Sequence, residues 1–114
     1  MPESGSLEHV TADEAIELAS GGAILIDIRE QWEWDAGYAP QATHIPMRSL
    51  GDHLDELPDD EAVLVICQIG GRSMTVAAAL ADAGYQAINV LGGMDAWEQS
   101  GGVVVRPASD PPLA

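Results

Sequence analysis

One stretch restricts the possible folds of this chain more than any other. It runs Ala62-Val63-Leu64-Val65-Ile66-Cys67, continues as Gln68-Ile69-Gly70-Gly71-Arg72-Ser73, and ends as Met74-Thr75-Val76-Ala77-Ala78-Ala79-Leu80. An apolar, β-branched run bounded by acidic residues and glycines reads as a fully buried strand. The alanine-rich segment after Ser73 reads as a helix. Cys67, the sole cysteine, then lies at the C-terminal end of a central strand, on a tight loop above a helix N-terminus. Open α/β sheets bind their ligands at that place. Unpaired N–H groups of the loop and first helical turn, together with the helix dipole, stabilise an anion there, a thiolate included. Gly70 and Gly71 let the backbone curl its amides inward, since they carry no Cβ. The plainer alternative is a buried structural thiol at a strand end, because free cysteine is among the most buried residue types.

The rest of the chain supplies partners for this unit. Residues 1–7 read as an N-terminal tail. Thr11 and Glu14 form a capping box, with Val10 placed to staple onto Ala15, so a helix begins here. Ala12, Ala15, Ile16 and Ala19 give it an apolar face, and Gly21-Gly22 end it. Residues 23–29 read as a buried strand that turns polar at Asp27 and Arg29, an opposite-charge pair that is either a local ion pair or part of the frame of a site. A short helix over residues 30–37 follows. Trp32 and Trp34 cannot share one of its faces, so one belongs to the core and the other is partly exposed. Thr43-His44-Ile45, bounded by prolines, predicts a very short strand. Ser49 to Leu57 is a loose helical pattern carried by Leu50, Leu54 and Leu57. The helix from Ser73 is apolar nearly all round and predicts packing on two sides, with Gly84 as its stop. Ala87 to Leu91 is another strand, Gly92-Gly93 opens the last helix, and the proline-rich segment 106–114 reads as a tail. Strands and helices alternate throughout, which predicts an α/β domain over residues 8–105 with a parallel central sheet covered by helices on both faces.

The loop Cys67-x-x-Gly70-x-Arg72-Ser73 resembles the active-site loop of rhodanese-type sulfurtransferases. Three further segments resemble that family in the same order: Asp27-x-Arg29 closing a central strand, Gly37 to Pro46, and Gly92-Gly93-x-x-x-Trp97. The second departs from the family's Gly-His-Ile-Pro-Gly-Ala-x-x-Ile-Pro at Tyr38, Ala39 and Gln41. The resemblance implies a single rhodanese-like domain in which Cys67 carries a sulfane sulfur as a persulfide. It implies that Gln68, Ile69, Gly70, Gly71, Arg72 and Ser73 form the persulfide- or substrate-binding loop, with Asp27, Arg29 and Glu33 in support. Trp97 reads as a scaffold residue. Arg72 either stabilises charge at the sulfur or forms an outward ion pair that clamps the loop, and Glu33 is the candidate partner. The implied donor is thiosulfate or a small or protein persulfide. The acceptor is cyanide, a thiol or a protein thiolate, with no metal or organic cofactor.

Composition bounds these readings. A net charge of −15, from 19 acidic residues against four arginines, argues against nucleic acid and anionic membrane surfaces as partners. It fits a highly solvated surface, or an acidic face for a basic protein partner. No run approaches the roughly 20 apolar residues of a membrane span. The start, Met1 to Ser6, lacks the pattern of a signal peptide. A lone cysteine suits a reducing compartment, so a cytoplasmic location is expected. His9, His44 and His53 show no metal-type spacing. A papain-like Cys–His protease is disfavoured by the small size. A phosphatase or arsenate reductase is the main rival enzyme, but its loop needs one more residue between cysteine and arginine than the four that separate Cys67 from Arg72. A noncatalytic interaction module on the same fold is the third reading, against which the retention of Cys67 and Arg72 counts.

Overall fold

Apolar strand sequences that are β-branched on both faces need cover on both faces, and the chain provides it with helices. The computed structural model describes residues 7–107. Strands β1 (Leu7–Val10), β2 (Ile24–Asp27), β3 (Thr43–His44), β4 (Ala62–Ile66) and β5 (Gln86–Val90) form one sheet in the order β1-β5-β4-β2-β3. All neighbouring pairs are parallel. Helices α1 (Ala12–Ser20), α2 (Gln31–Asp35), α3 (Gly71–Asp82) and α4 (Gly93–Gln99) alternate with them, and a 3₁₀ segment spans Met47–Glu56.

The two faces have separate cores. Val63, Val65 and Ala87 meet Val76, Ala77, Leu80 and Ala81 of α3, joined by Leu50 and Leu57. Leu64, Ile66, Ile88 and Val90 meet Ala15 and Ala19 of α1 and Met94 and Trp97 of α4. Strand β4 is buried along Val63–Ile66, as its unbroken apolar run requires. Trp97 is 0% exposed, and its indole N–H donates to the Val103 carbonyl at 3.0 Å, which satisfies the ring's one polar group.

Local signals account for most boundaries. Thr11 Oγ1 accepts from the Glu14 N–H at 3.2 Å while Glu14 Oε1 accepts from the Thr11 N–H at 2.9 Å. Three expectations need correcting. The sequence predicts no strand before Thr11, yet Leu7–Val10 pairs with β5 along the sheet edge. Four residues with an exposed Glu8-His9 pair between two half-buried ends give no periodic signal, and the neighbour supplies what propensity does not. The loose helix from Ser49 is a 3₁₀ segment beginning at Met47. The helix α3 does not pack on two sides: Met74, Thr75 and Ala79 are exposed, and alanine tolerates exposure at little cost. At the C-terminus, Val105 bridges to Tyr38 and Arg106 pairs with Glu98 at 2.9 Å, so ordered contacts reach residue 106. The tail readings for residues 1–6 and 108–114 lie outside the described residues.

Candidate active site

Strand β4 delivers Cys67 to a loop that curls back over its own sulfur. The turn depends on Gly70, whose φ of 106° is unfavourable for any residue with a Cβ. A Cβ there would also come within 3.0 Å of the Gly92 nitrogen. In this conformation the Gly70 N–H donates to Cys67 Sγ at 3.1 Å, and the Ser73 N–H, in the first turn of α3, donates at 3.2 Å. These are the backbone donors to Sγ among the described residues. The thiol itself donates to Ser73 Oγ at 3.3 Å. Cys67 is 1% exposed, whereas Ile69, at the crest of the loop, is 71% exposed.

Three elements hold the loop. From α4, the Met94 N–H donates to the Cys67 carbonyl at 2.8 Å and the Asp95 N–H to the Gln68 carbonyl at 3.0 Å. Gly93 makes this approach feasible, because a Cβ there would overlap the Cys67 carbonyl and the Gln68 backbone. From the end of β2, Arg29 Nε and Nη2 grip the Asp27 carboxylate at 2.8–3.0 Å. Its Nη1 donates to Gln68 Oε1 at 2.8 Å and its Nη2 to the Gly37 carbonyl at 2.8 Å. Gln68 completes the tie by donating to Asp95 Oδ1 at 2.7 Å. The Asp27–Arg29 pair is therefore both an ion pair and a frame for the loop.

The third support comes from α2. Both Nη groups of Arg72 donate to the two carboxylate oxygens of Glu33, each at 2.8 Å. This fork is the strong geometry for the pair. The Arg72 hydrogen bond holds the Glu33 carboxyl below its ordinary value, burial opposing, and the same bond pushes Arg72 up. Of the two orientations the sequence leaves open for Arg72, the structure shows the one turned to Glu33.

Sequence reasoning missed part of the surroundings. Trp34 stacks on Tyr38 at 4.1 Å and on His44 at 4.7 Å, its ring nearly parallel to both. Tyr38 thus contributes a ring where the resembled motif has histidine, and His44 Nε2 lies 2.8 Å from the Arg29 carbonyl. Of the two tryptophans, Trp34 is half-buried and Trp32 is 72% exposed. Asn89, fully buried between Ile88 and Val90, accepts from the Ser73 hydroxyl at 2.6 Å. A polar residue inside an apolar strand was the available signal. A cleft of about 270 Å³, lined in part by Trp32, Glu33, Gly37 and Gln68, opens beside the loop.

Comparison with known proteins shows the family and the fold. Residues 11–100 match the family described as the Rhodanese-like domain. A Bacillus subtilis (strain 168) protein named "Putative sulfurtransferase YtwF" is 40% identical over 91 residues, covering 80% of this chain and 82% of that one. A rhodanese-like domain protein from Staphylococcus aureus superposes with a TM-score of 0.74 at 34% identity, over 79% of this chain and 90% of that one. A rhodanese-related protein from Thermoplasma volcanium gives 0.80 at 27% identity, over 87% and 98%. Among the described residues, no helix is long and apolar enough to cross a membrane.

Proposed function

The chain belongs to the rhodanese-like domain family, and on that premise we propose that it transfers sulfane sulfur through a persulfide on Cys67. The observation that carries this reading is the pair of N–H groups, from Gly70 and Ser73, that converge on the sulfur of the lone cysteine. Donors aimed at one atom stabilise an anion there more than a neutral thiol. They suit an atom that must be a thiolate to attack and must leave as one.

The reaction has two displacements. The Cys67 thiolate attacks the outer sulfur of a donor such as thiosulfate. A new S–S bond forms, the donor's own bond to that sulfur breaks, and sulfite departs with the electron pair. The acceptor, cyanide or a thiolate, then attacks the terminal sulfur of the persulfide. The Cys67 thiolate leaves and the resting site is restored. The enzyme gains and loses one sulfur atom per cycle, with no outside oxidant or reductant. Gly70, Gly71 and Ser73 shape the cradle, Gln68 ties it to Arg29 and Asp95, and exposed Ile69 forms its outer lip. Arg72 and Glu33 clamp the loop from outside. The four residues between Cys67 and Arg72 favour a cradle for one added sulfur over one for a tetrahedral phosphate.

Intact mass after exposure to thiosulfate, and separately to a small-molecule persulfide, tests the proposal. Wild type should gain one sulfur that cyanide removes, and Cys67→Ser should gain none while keeping the circular dichroism of the wild type. A wild type that takes sulfur from neither donor would overturn it, as would a Cys67→Ser variant with undiminished turnover.

A further inference from the structure

Cys67 Sγ is the inner end of a chain of polar side chains that crosses to the edge of the sheet. The thiol donates to Ser73 Oγ at 3.3 Å, the Ser73 hydroxyl donates to Asn89 Oδ1 at 2.6 Å, and Asn89 Nδ2 lies 3.2 Å from His9 Nδ1. Ser73 and Asn89 are both 0% exposed, whereas His9 is exposed. Parallel pairing of β1 with β5 sets His9 directly beside Asn89. A buried amide is costly unless both of its ends are bonded, and this chain bonds both.

We propose that Asn89 and His9 are positioning residues for Cys67, acting through a hydrogen-bond chain whose direction reverses when the sulfur becomes an anion. This rests on Cys67 being the nucleophile. With a thiol in place every member donates outward, and Nδ1 of His9 must be bare to accept. A thiolate has no proton to give. The Ser73 hydroxyl then turns to donate to the sulfur, which leaves Asn89 Oδ1 without its donor and Ser73 Oγ free to accept. Rotating the Asn89 amide by half a turn repairs both faults, since its oxygen and nitrogen occupy nearly equal space. Nδ2 now donates to Ser73 Oγ, and Oδ1 faces a His9 Nδ1 that must carry a proton. The imidazolium always carries it, whereas neutral His9 must first move its proton from Nε2. No proton passes through the amide: the thiol's proton goes to solvent, and His9 takes its own from solvent. Protonation at the exposed edge thus favours the anion at the buried sulfur.

Other charges do not share this line. On the face of the sheet that His9 and Asn89 occupy, α3 carries Arg72, committed to Glu33, and Asp82 at its far end. β5 has no ionisable residue. Glu8 alternates to the opposite face, which α1 covers with its Asp13, Glu14 and Glu17.

Alkylation of Cys67 by iodoacetamide, followed from about pH 5 to 9 in wild type, His9→Leu and His9→Gln, tests the chain. Leucine can neither donate nor accept, while glutamine offers both through an amide that can turn. His9→Leu should slow alkylation by about threefold to tenfold on the acid side of that range, where the imidazolium holds the turned amide, and its profile should converge on wild type on the alkaline side, while His9→Gln should stay within about twofold of wild type on the acid side. A His9→Leu profile that superimposes on wild type, or that is lowered equally at every pH, overturns the inference. So does an equal loss in both variants, which would mean that the hydrogen bond is not what matters. Sulfur loading by mass on the same samples reads the proposed function separately. A wild type that takes up no sulfur but shows this His9 dependence would refute that function and leave the chain standing.

Discussion

Arg29 is the side chain on which the candidate site leans most. It is 2% exposed, its partner Asp27 is 0% exposed, and its remaining donors reach Gly37 and Gln68. Removing one member of a buried, hydrogen-bonded ion pair leaves the other charge without compensation, at a cost of about 3–5 kcal/mol. Arg29→Met should therefore lower stability by an amount of that order in urea unfolding, and an effect below about 1 kcal/mol would show that the pair is not a keystone. Glu33 and Arg72 act nearer the surface and invite a pH test. Because the folded-state carboxyl of Glu33 is held below its ordinary value, the clamp contributes fully above the usual carboxylate range and is lost as the pH falls through that lower value. The stability difference between wild type and Glu33→Gln should stay flat from about pH 8 down to 5 and shrink below about 4. Amide exchange in residues 68–73 should be faster in Glu33→Gln at neutral pH. Equal exchange rates would show that the ion pair does not restrain the loop.

At the scale of elements, the cradle is a strand end, a glycine turn and a helix start locked together by backbone geometry. Gly70→Ala would place a Cβ on a left-handed backbone and against Gly92, so both terms push the turn out of shape. The expected outcome is a loss of about 1–3 kcal/mol in urea unfolding together with slower alkylation of Cys67, because the Gly70 N–H no longer points at the sulfur. Undiminished alkylation would mean that the Ser73 amide alone suffices. The same geometry explains what could be read from residue order. Ala62 to Ile66, the glycine pairs Gly70-Gly71 and Gly92-Gly93 and the Thr11–Glu14 box each act within a few residues, so their consequences were visible locally. The pairing of Glu33 with Arg72 spans 39 positions, and family resemblance suggested it before the structure showed it. Strand β1 was missed because its pairing with β5 is a long-range contact that four residues cannot announce. Asn89 and His9 were missed for a related reason: they are 80 residues apart, and their contact exists only once β1 has docked. Burial on α3 was overstated because alanine enters an apolar face and an exposed one with almost equal ease.

The whole molecule adds a field to the local chemistry. All four arginines sit in ion pairs, with Asp27, Glu30, Glu33 and Glu98 as partners, so none offers an uncommitted charge to a substrate. Gln68 and Ile69 occupy loop positions where a cationic side chain could have drawn in a dianion. Beyond the loop, a net charge of −15 repels thiosulfate on approach. At contact, the Gly70 and Ser73 amides act over about 3 Å and are little screened, so chemistry within the complex should respond weakly to salt. Encounter is different, because screening shortens the reach of the net charge from about 10 Å at 0.1 M salt to about 3 Å at 1 M. Thiosulfate should therefore be a poor donor with a high KM that falls as inert salt is added, while kcat changes less. A persulfide on a small thiol carries less charge than the thiosulfate dianion and feels less of that repulsion, one on a protein with a basic face is attracted instead, and both should be better donors. Steady-state kinetics with both donor types at low and high ionic strength decides the matter. A low KM for thiosulfate that does not move with salt would show that the amide cradle overrides the field, and would make thiosulfate itself a credible natural substrate.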